Sequence, residues 1–234
     1  MAAEFEARVK EIIQRTYNVK SVRLDIPNFK PYEAGQFLSV TLNNDPKLKR
    51  YLSISSSPTE KCYIEFTKKI TSSDFSKRIN MLKAGDIVKV QYPLGKFILQ
   101  SNDKNIAFIS GGIGITPIRS IAKYVVDSNL GVDMVLLYAN RTVRDVVFKE
   151  DFDAMQAKYP KFKVTHVLCE PEPNFKCTTG LINAQIIKNE ISDYRERKFF
   201  LCGPPQMVEA MKNILKNELS LAENSIILEN FQGY

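Results

Sequence analysis

One stretch constrains the fold more than any other. Residues Asn105 to Ile118 read Asn-Ile-Ala-Phe-Ile-Ser-Gly-Gly-Ile-Gly-Ile-Thr-Pro-Ile. The apolar run Ile106 to Ile109 has the length and side-chain type of a buried strand. Gly111, Gly112 and Gly114 follow, and an apolar helical pattern begins near Pro117, which suits a first helical position because its missing N–H costs nothing there. A strand that passes through glycines into a helix brings backbone close to an anion, since no Cβ blocks the approach and the first-turn N–H groups point at it. A tight strand-to-helix turn without a ligand satisfies the same pattern. The dinucleotide fingerprint of dehydrogenases calls for a third glycine where this chain has Pro117, so that version does not fit.

Around this stretch the rhythm of the chain changes. Up to about residue 100, short alternating runs at Val19–Ile26, Phe37–Leu42, Arg50–Ser55, Cys62–Lys68 and Ile87–Tyr92 are punctuated by proline and glycine, the pattern of an antiparallel β-barrel. One helix is expected over Asp74–Leu82, with Ser73 as its N-cap. Beyond it, strand-like runs at Ile106–Ile109, Met134–Tyr138, Lys163–Leu168, Phe199–Leu201 and Ser225–Leu228 alternate with helical patterns near Ile118–Ser128, Lys149–Tyr159, Ala184–Glu190 and Pro205–Leu219. That alternation implies a parallel sheet covered on both faces. Two domains are therefore expected, a β-barrel over 1–100 and an α/β parallel-sheet domain over 101–234.

Composition narrows the function classes. At 44% hydrophobic and 25% charged, the 234 residues can build true cores. No apolar run approaches ~20 residues, and residues 1–20 are charged throughout, so neither a membrane span nor a signal peptide is expected and the location is read as cytoplasmic. The four cysteines, Cys62, Cys169, Cys177 and Cys202, show neither iron–sulfur nor zinc spacing, and no metal site is expected. The single histidine, His166, lies in a strand-like run and reads as structural, which argues against triad hydrolases. The net charge of +7 attracts phosphates or an acidic partner, but no nucleic-acid motif accompanies it.

Two stretches of the barrel half carry polar chemistry. Arg50-Tyr51-Leu52-Ser53-Ile54-Ser55 is rich in hydroxyls for a strand; Arg50 can grip a phosphate as a fork and Ser53 can donate to a heterocycle nitrogen. A polar edge strand is the alternative. Lys68-Lys69-Ile70-Thr71-Ser72-Ser73-Asp74-Phe75-Ser76 joins basic residues and hydroxyls to a helix start, an anion site against which Asp74 would act.

Six segments in order resemble the ferredoxin–NADP reductase superfamily over nearly the whole chain. They are Gly35-Gln36-Phe37; Arg50 to Ser53, similar to R-x-Y-S; Gly85-Asp86 through Pro93-x-Gly95-x-Phe97; Gly111 to Pro117, similar to G-G-x-G-x-T-P; Cys202-Gly203-Pro204-Pro205-x-Met207; and Glu229-Asn230-Phe231. The resemblance implies a barrel that binds FAD and an α/β domain that binds NADPH or NADH, with hydride passing from nicotinamide C4 to flavin N5. It implies that Arg50, Lys68, Ser73, Phe75 and Ser76 surround the flavin pyrophosphate, with Ser53 near N5. Gly111, Gly112, Gly114, Thr116, Gly203, Pro204 and Met207 would form the nucleotide cleft, and Cys202 would lie beside the reacting nicotinamide carbon. Ser53, Cys202, Thr116 and Glu229 are thereby the expected catalytic set. The flavin-stacking tyrosine is replaced by Leu52, and Tyr51 faces away by alternation. Phe231, or else Tyr234, would cover the flavin. Arg141 and Arg144 near the end of the second nucleotide strand put NADPH slightly ahead of NADH.

Three functions follow from the resemblance. The first is an NAD(P)H oxidoreductase serving an acidic carrier such as ferredoxin or flavodoxin, or another acceptor. The second is an NADH-dependent reductase of the cytochrome b5 reductase or oxygenase-reductase kind. The third is a flavin-binding electron-transfer subunit without independent turnover.

Overall fold

In a computed structural model of the chain, residues 4–27 and 29–230 are described. The first half folds into six strands, β1 (Phe5–Thr16), β2 (Val19–Asp25), β3 (Phe37–Thr41), β4 (Lys49–Ser53), β5 (Ile64–Lys69) and β6 (Ile87–Leu94), with helix α1 (Asp74–Met81) between β5 and β6. All neighbours are antiparallel in the order β4-β3-β6-β1-β2-β5, and an Ile54–Phe66 bridge joins the two ends into a barrel. Inward residues such as Val22, Leu38, Val40, Ile54, Phe66 and Val90 are fully buried and fill the interior, and Phe75 of α1 plugs one part of it.

The longest strand, β1, is not among the strands expected from the sequence. Its alternation is broken by register shifts between Val9 and Glu11 and between Gln14 and Thr16. Each bulge moves the following side chains to the opposite face, so period two fails over the strand as a whole.

The second half is a six-stranded parallel sheet in the order β10-β9-β8-β7-β11-β12. Its strands are β7 (Asn105–Gly111), β8 (Asp133–Asn140), β9 (Phe162–Leu168), β10 (Thr178–Thr179), β11 (Lys198–Gly203) and β12 (Ile226–Asn230). Helices α2 (Ile115–Ser128) and α3 (Lys149–Lys158) cover one face, and α4 (Ala184–Glu190) and α5 (Pro205–Asn213) cover the other. The chain builds outward from β7 in one direction through β8 and β9, then restarts on its other side with β11. The crevice between β7 and β11 is thus the topological switch point, where open α/β sheets bind ligands. Pro117 is the third residue of α2 rather than the first, because a 3₁₀ turn at Gly112–Gly114 precedes the helix. The substitution of position is harmless, since the first four helical N–H groups have no intrahelical partner.

The two halves share a core. Val19, Ala34 and Phe97 from the first half join the cluster beneath α2, and Phe97 meets Phe200 edge-on at 5.3 Å.

Candidate active site

Strand β4 carries the first group of site residues. Ile54, just beyond it, is wholly buried, and Leu52 packs half-buried against the same barrel core. Tyr51 is 57% exposed and touches Phe37 edge-on at 5.9 Å. Ser53 is buried, and its Oγ has no hydrogen-bond partner among the described residues. A hydroxyl withdrawn from water and left unpaired is costly, and a ligand atom or a water satisfies it.

A cationic corner adjoins it. The Arg50 guanidinium lies 5.5 Å over the Phe75 ring and donates to the Lys47 and Lys49 carbonyls, at 3.1 and 2.7 Å. Phe75 itself is core, so its side chain supports Arg50 rather than a ligand. Lys68 is buried nearby and donates to its neighbour's carbonyl at 3.0 Å. Burial, with the Arg50 and Lys69 charges beside it, holds its ammonium below the ordinary lysine range. Ser73 caps α1 by accepting from the Ser76 N–H at 3.3 Å, and Thr71, Ser73 and Ser76 share their hydroxyls at 3.1 Å. Asp74 does not spoil this anion site, because it turns to solvent and pairs with Lys77 at 3.0 Å.

At the switch point the glycines have two different reasons. A Cβ on Gly114 would lie 2.4 Å from the Cys202 carbonyl oxygen, and one on Gly111 would lie 2.3 Å from Met207 Sδ. Gly114 lets the loop after β7 pack on the end of β11, and Gly111 makes room for Met207 at the start of α5. Only Gly112, at φ +52° with open space before it, has the freedom expected of a phosphate-facing glycine. Tyr138 fixes the loop by donating to the Gly112 carbonyl at 3.0 Å, and buried Thr116 donates to the Ile113 carbonyl at 3.2 Å. Gly203 packs against Gly111, while Pro204 and Pro205 start α5.

The sheet register sets a polar row beside this loop. Glu229, Cys202, Ser110, Tyr138 and His166 are lateral neighbours on β12, β11, β7, β8 and β9. Burial, and then the Glu229 charge, push the Cys202 thiol well above its usual range, so it stands as a protonated thiol. Burial pushes Glu229 up to about 7. Ser110 is fully buried with an unpaired Oγ. Sequence reasoning missed it; its signal was a lone hydroxyl closing an apolar strand just before the glycines. His166 sits among the Tyr138 and Phe175 rings, and burial lowers its pKa, as befits a neutral structural residue.

The two arginines beyond β8 are not brought together. Arg141 pairs with Glu170 at 2.8 Å, whereas Arg144 lies 5.2 Å over the Tyr17 ring of the barrel half. Phe231 and Tyr234 lie outside the described residues.

Comparison with known proteins follows the same division. The oxidoreductase FAD-binding domain family matches residues 6–98, and the oxidoreductase NAD-binding domain family matches residues 108–213. NADH-cytochrome b5 reductase 1 of Aspergillus fumigatus is 32% identical over 225 residues, which cover 89% of this chain and 73% of that protein. The chain belongs to the ferredoxin–NADP reductase superfamily. The glycine betaine monooxygenase reductase subunit of Pseudomonas aeruginosa is 29% identical over 219 residues, covering 89% of this chain, and the chain spans only 59% of that protein's length. The cytochrome b5 reductase domain of Ulva prolifera nitrate reductase has the same fold, with a TM-score of 0.85 at 20% identity over 97% of each chain.

As members of this superfamily do, the chain takes FAD and a nicotinamide dinucleotide as cofactors. Its residues fit both. The cationic corner at Arg50 and Lys68 suits a pyrophosphate, and the unpaired Ser53 hydroxyl suits a ring nitrogen. The Gly112 turn at the switch point suits a second pyrophosphate.

Proposed function

We propose that this chain oxidises NADH and delivers the electrons to a separate acidic carrier protein, as a reductase of the oxygenase-component or cytochrome b5 reductase kind. The chemistry that FAD would supply when bound is the exchange of hydride with a nicotinamide and of electrons with an acceptor. The protein's own task is to hold two flat rings together and keep water away. In this reading Arg50, Lys68 and the first turn of α1 bind the flavin pyrophosphate. Leu52 would offer apolar cover to the flavin ring, and the Ser53 hydroxyl would be available to donate to it. Gly112 and the start of α2 hold the nucleotide pyrophosphate. The Cys202 thiol lies against the nicotinamide, and Glu229 holds a proton at its carboxyl beside it.

The single observation that carries the reading is a direct junction. The residues that follow Ser53 on the barrel, Ser55 and Ser56, are hydrogen-bonded to α2, the helix that opens from the dinucleotide loop. The two cofactor-holding elements are thereby neighbours. NADH is favoured because Glu170 holds Arg141 and would repel a 2′-phosphate, while Arg144 is engaged with Tyr17. This reverses the order that the two arginines imply in the sequence. Four free cysteines fit a reducing, cytoplasmic setting, and no described helix is long and apolar enough to cross a membrane.

Anaerobic addition of NADH or NADPH to the purified yellow protein tests the reading. NADH is expected to bleach the flavin band faster than NADPH. A colourless protein that neither FAD nor FMN reconstitutes would overturn it, and faster bleaching by NADPH would overturn the nucleotide assignment. Arg50→Ala is expected to weaken FAD retention at least tenfold while leaving nucleotide binding nearly unchanged, as equilibrium dialysis of each ligand would measure.

A further inference from the structure

One charged side chain lies on the buried face of α2. Arg119 is only 4% exposed and follows Ile118 in a helix whose Ile121, Ala122 and Val125 are fully buried. Its guanidinium does not stay with the nucleotide half. Nη1 donates to the Ser55 carbonyl and to Glu60 Oε2, both at 2.8 Å, and Nη2 donates to Glu60 Oε1 at 3.2 Å. Nε donates to Asp151 Oδ2 of α3 at 2.6 Å. The next residue, Ser120, donates from its buried Oγ to the Ser56 carbonyl at 2.6 Å. Three of the five guanidinium N–H groups and an adjacent hydroxyl thus converge on two consecutive peptide groups and one carboxylate of the barrel.

The surroundings are built for this contact. The Phe148 ring lies 5.1 Å from the Arg119 guanidinium and 5.0 Å from that of Arg15 on β1. Phe148 adopts φ +62°, a left-handed backbone that a bulky residue rarely takes. Burial works against ionisation of Glu60, but Arg119, together with the Ser57 N–H and the Tyr63 hydroxyl, more than offsets it, so the carboxylate is held below its ordinary range. Glu65, nearly inaccessible, is satisfied separately by Arg15 and Arg23, each at 3.0 Å. Exposed bonds flank the junction, Thr59 Oγ1 to Asp127 at 2.6 Å and Tyr17 to Asp145 at 2.8 Å.

What the junction connects is the point. Three residues before Arg119 is Thr116, at the dinucleotide loop, and two residues before Ser55 is Ser53, with its unpaired hydroxyl. A bidentate fork plus a backbone bond fixes rotation as well as distance, which a single contact does not. We propose that Arg119 is a positioning residue for hydride transfer: by clasping Glu60 and the Ser55 carbonyl it sets the spacing and tilt between the nucleotide loop and the flavin strand. The inference rests on the FAD and NADH reading above and adds the residue that holds the two rings in register.

The test uses the FAD-loaded protein and the variants Arg119→Lys, Ser120→Ala and Glu60→Gln. Lysine keeps the charge but cannot form the fork. Stopped-flow mixing with NADH and with NADH deuterated at C4 gives the limiting flavin reduction rate, the apparent Kd and the isotope effect. Oxidation of dithionite-reduced protein by ferricyanide reports on the flavin half alone. Since a displacement of about 1 Å can cost roughly 100-fold in rate, the limiting rate is expected to fall at least tenfold in Arg119→Lys and less in Ser120→Ala. The isotope effect should persist, the long-wavelength charge-transfer band should weaken, and FAD occupancy, NADH Kd and ferricyanide oxidation should change less than about threefold. A limiting rate within about twofold of wild type in folded, flavin-replete Arg119→Lys and Ser120→Ala would overturn the proposal. So would a loss confined to flavin retention or thermal stability, which a mere clamp would produce. Wild-type protein that holds FAD but is reduced by neither nucleotide would instead overturn the functional reading.

Discussion

Buried Ser53 and half-buried Glu229 make opposite predictions at the level of single residues. Ser53 Oγ has no partner among the described residues, so its removal takes no hydrogen bond there from the fold. Ser53→Ala is expected to leave the stability of the flavin-free protein within roughly 1 kcal/mol of wild type, yet to slow flavin reduction at least tenfold by removing a donor at the reacting ring. Parallel melting and stopped-flow measurements check both halves. Glu229 is the reverse case, because its cost is present in the folded chain itself. Burial raises its folded pKa to about 7 from the ordinary 4.5. A raised pKa means that the folded state binds the proton more tightly, so the stabilising contribution is complete below about 4.5 and is lost as pH climbs through about 7. Glu229→Gln, which mimics the neutral acid, should match wild type near pH 4.5 and exceed it by on the order of 2 kcal/mol at about pH 8. Melting temperatures that stay parallel across that interval would refute the assignment. Cys202 adds a chemical readout: as a buried, protonated thiol it should resist iodoacetamide while exposed Cys62 and Cys169 react.

Among the elements, the loop between β7 and α2 is the most sensitive. Gly114 faces the Cys202 carbonyl with no room for a methyl group, and both sides of the contact are backbone. Gly114→Ala must therefore push the start of α2 away from β11, at a cost of about 2–3 kcal/mol, and should weaken NADH binding with it. Calorimetry and nucleotide titration would detect both, and an unchanged melting point would show that the loop is looser than its packing implies. The same loop shows what was readable beforehand. Its strand, turn and helix are legible because period two, glycine and period 3.6 are local signals. Likewise β2 to β6 and the βα alternation were legible, because short apolar runs bounded by proline, glycine and asparagine mark them in the sequence. β1 was not, because two bulges scramble its alternation. Nor was the reason for Gly111 and Gly114, which answer to Met207 of α5 and to the Cys202 backbone of β11, some ninety residues later in the chain. Ser110 and Arg119 escaped notice for a related reason. A hydroxyl or a guanidinium inside an apolar pattern reads as noise until its tertiary neighbours are known.

At the scale of the whole molecule the question is how electrons leave. The chain carries 33 basic and 26 acidic residues, a net charge of +7. Much of the basic excess is surface charge, and three positions gather near β4: Lys47, Lys49 and Arg50, close to the exposed Tyr51. Of these, Lys49 is paired with Glu4 at 3.5 Å, and Arg50, which the proposed flavin pyrophosphate would neutralise, donates to two carbonyls, so the steering charge comes from the wider surface lysines. A field of this sign accelerates encounter with an acidic carrier, and that acceleration is screened once the Debye length drops toward about 4 Å at several tenths molar salt. Reduction of an acidic ferredoxin or flavodoxin by the NADH-supplied enzyme should therefore slow several-fold between about 0.05 and 0.5 M salt. Reduction of an uncharged quinone should hardly change, because no steering acts on it, and the comparison removes any salt effect on NADH binding, which both reactions share. If carrier and quinone rates fall together, the charge serves nucleotide capture and not partner docking. If the carrier rate alone is flat, the acceptor is not recognised by its negative surface.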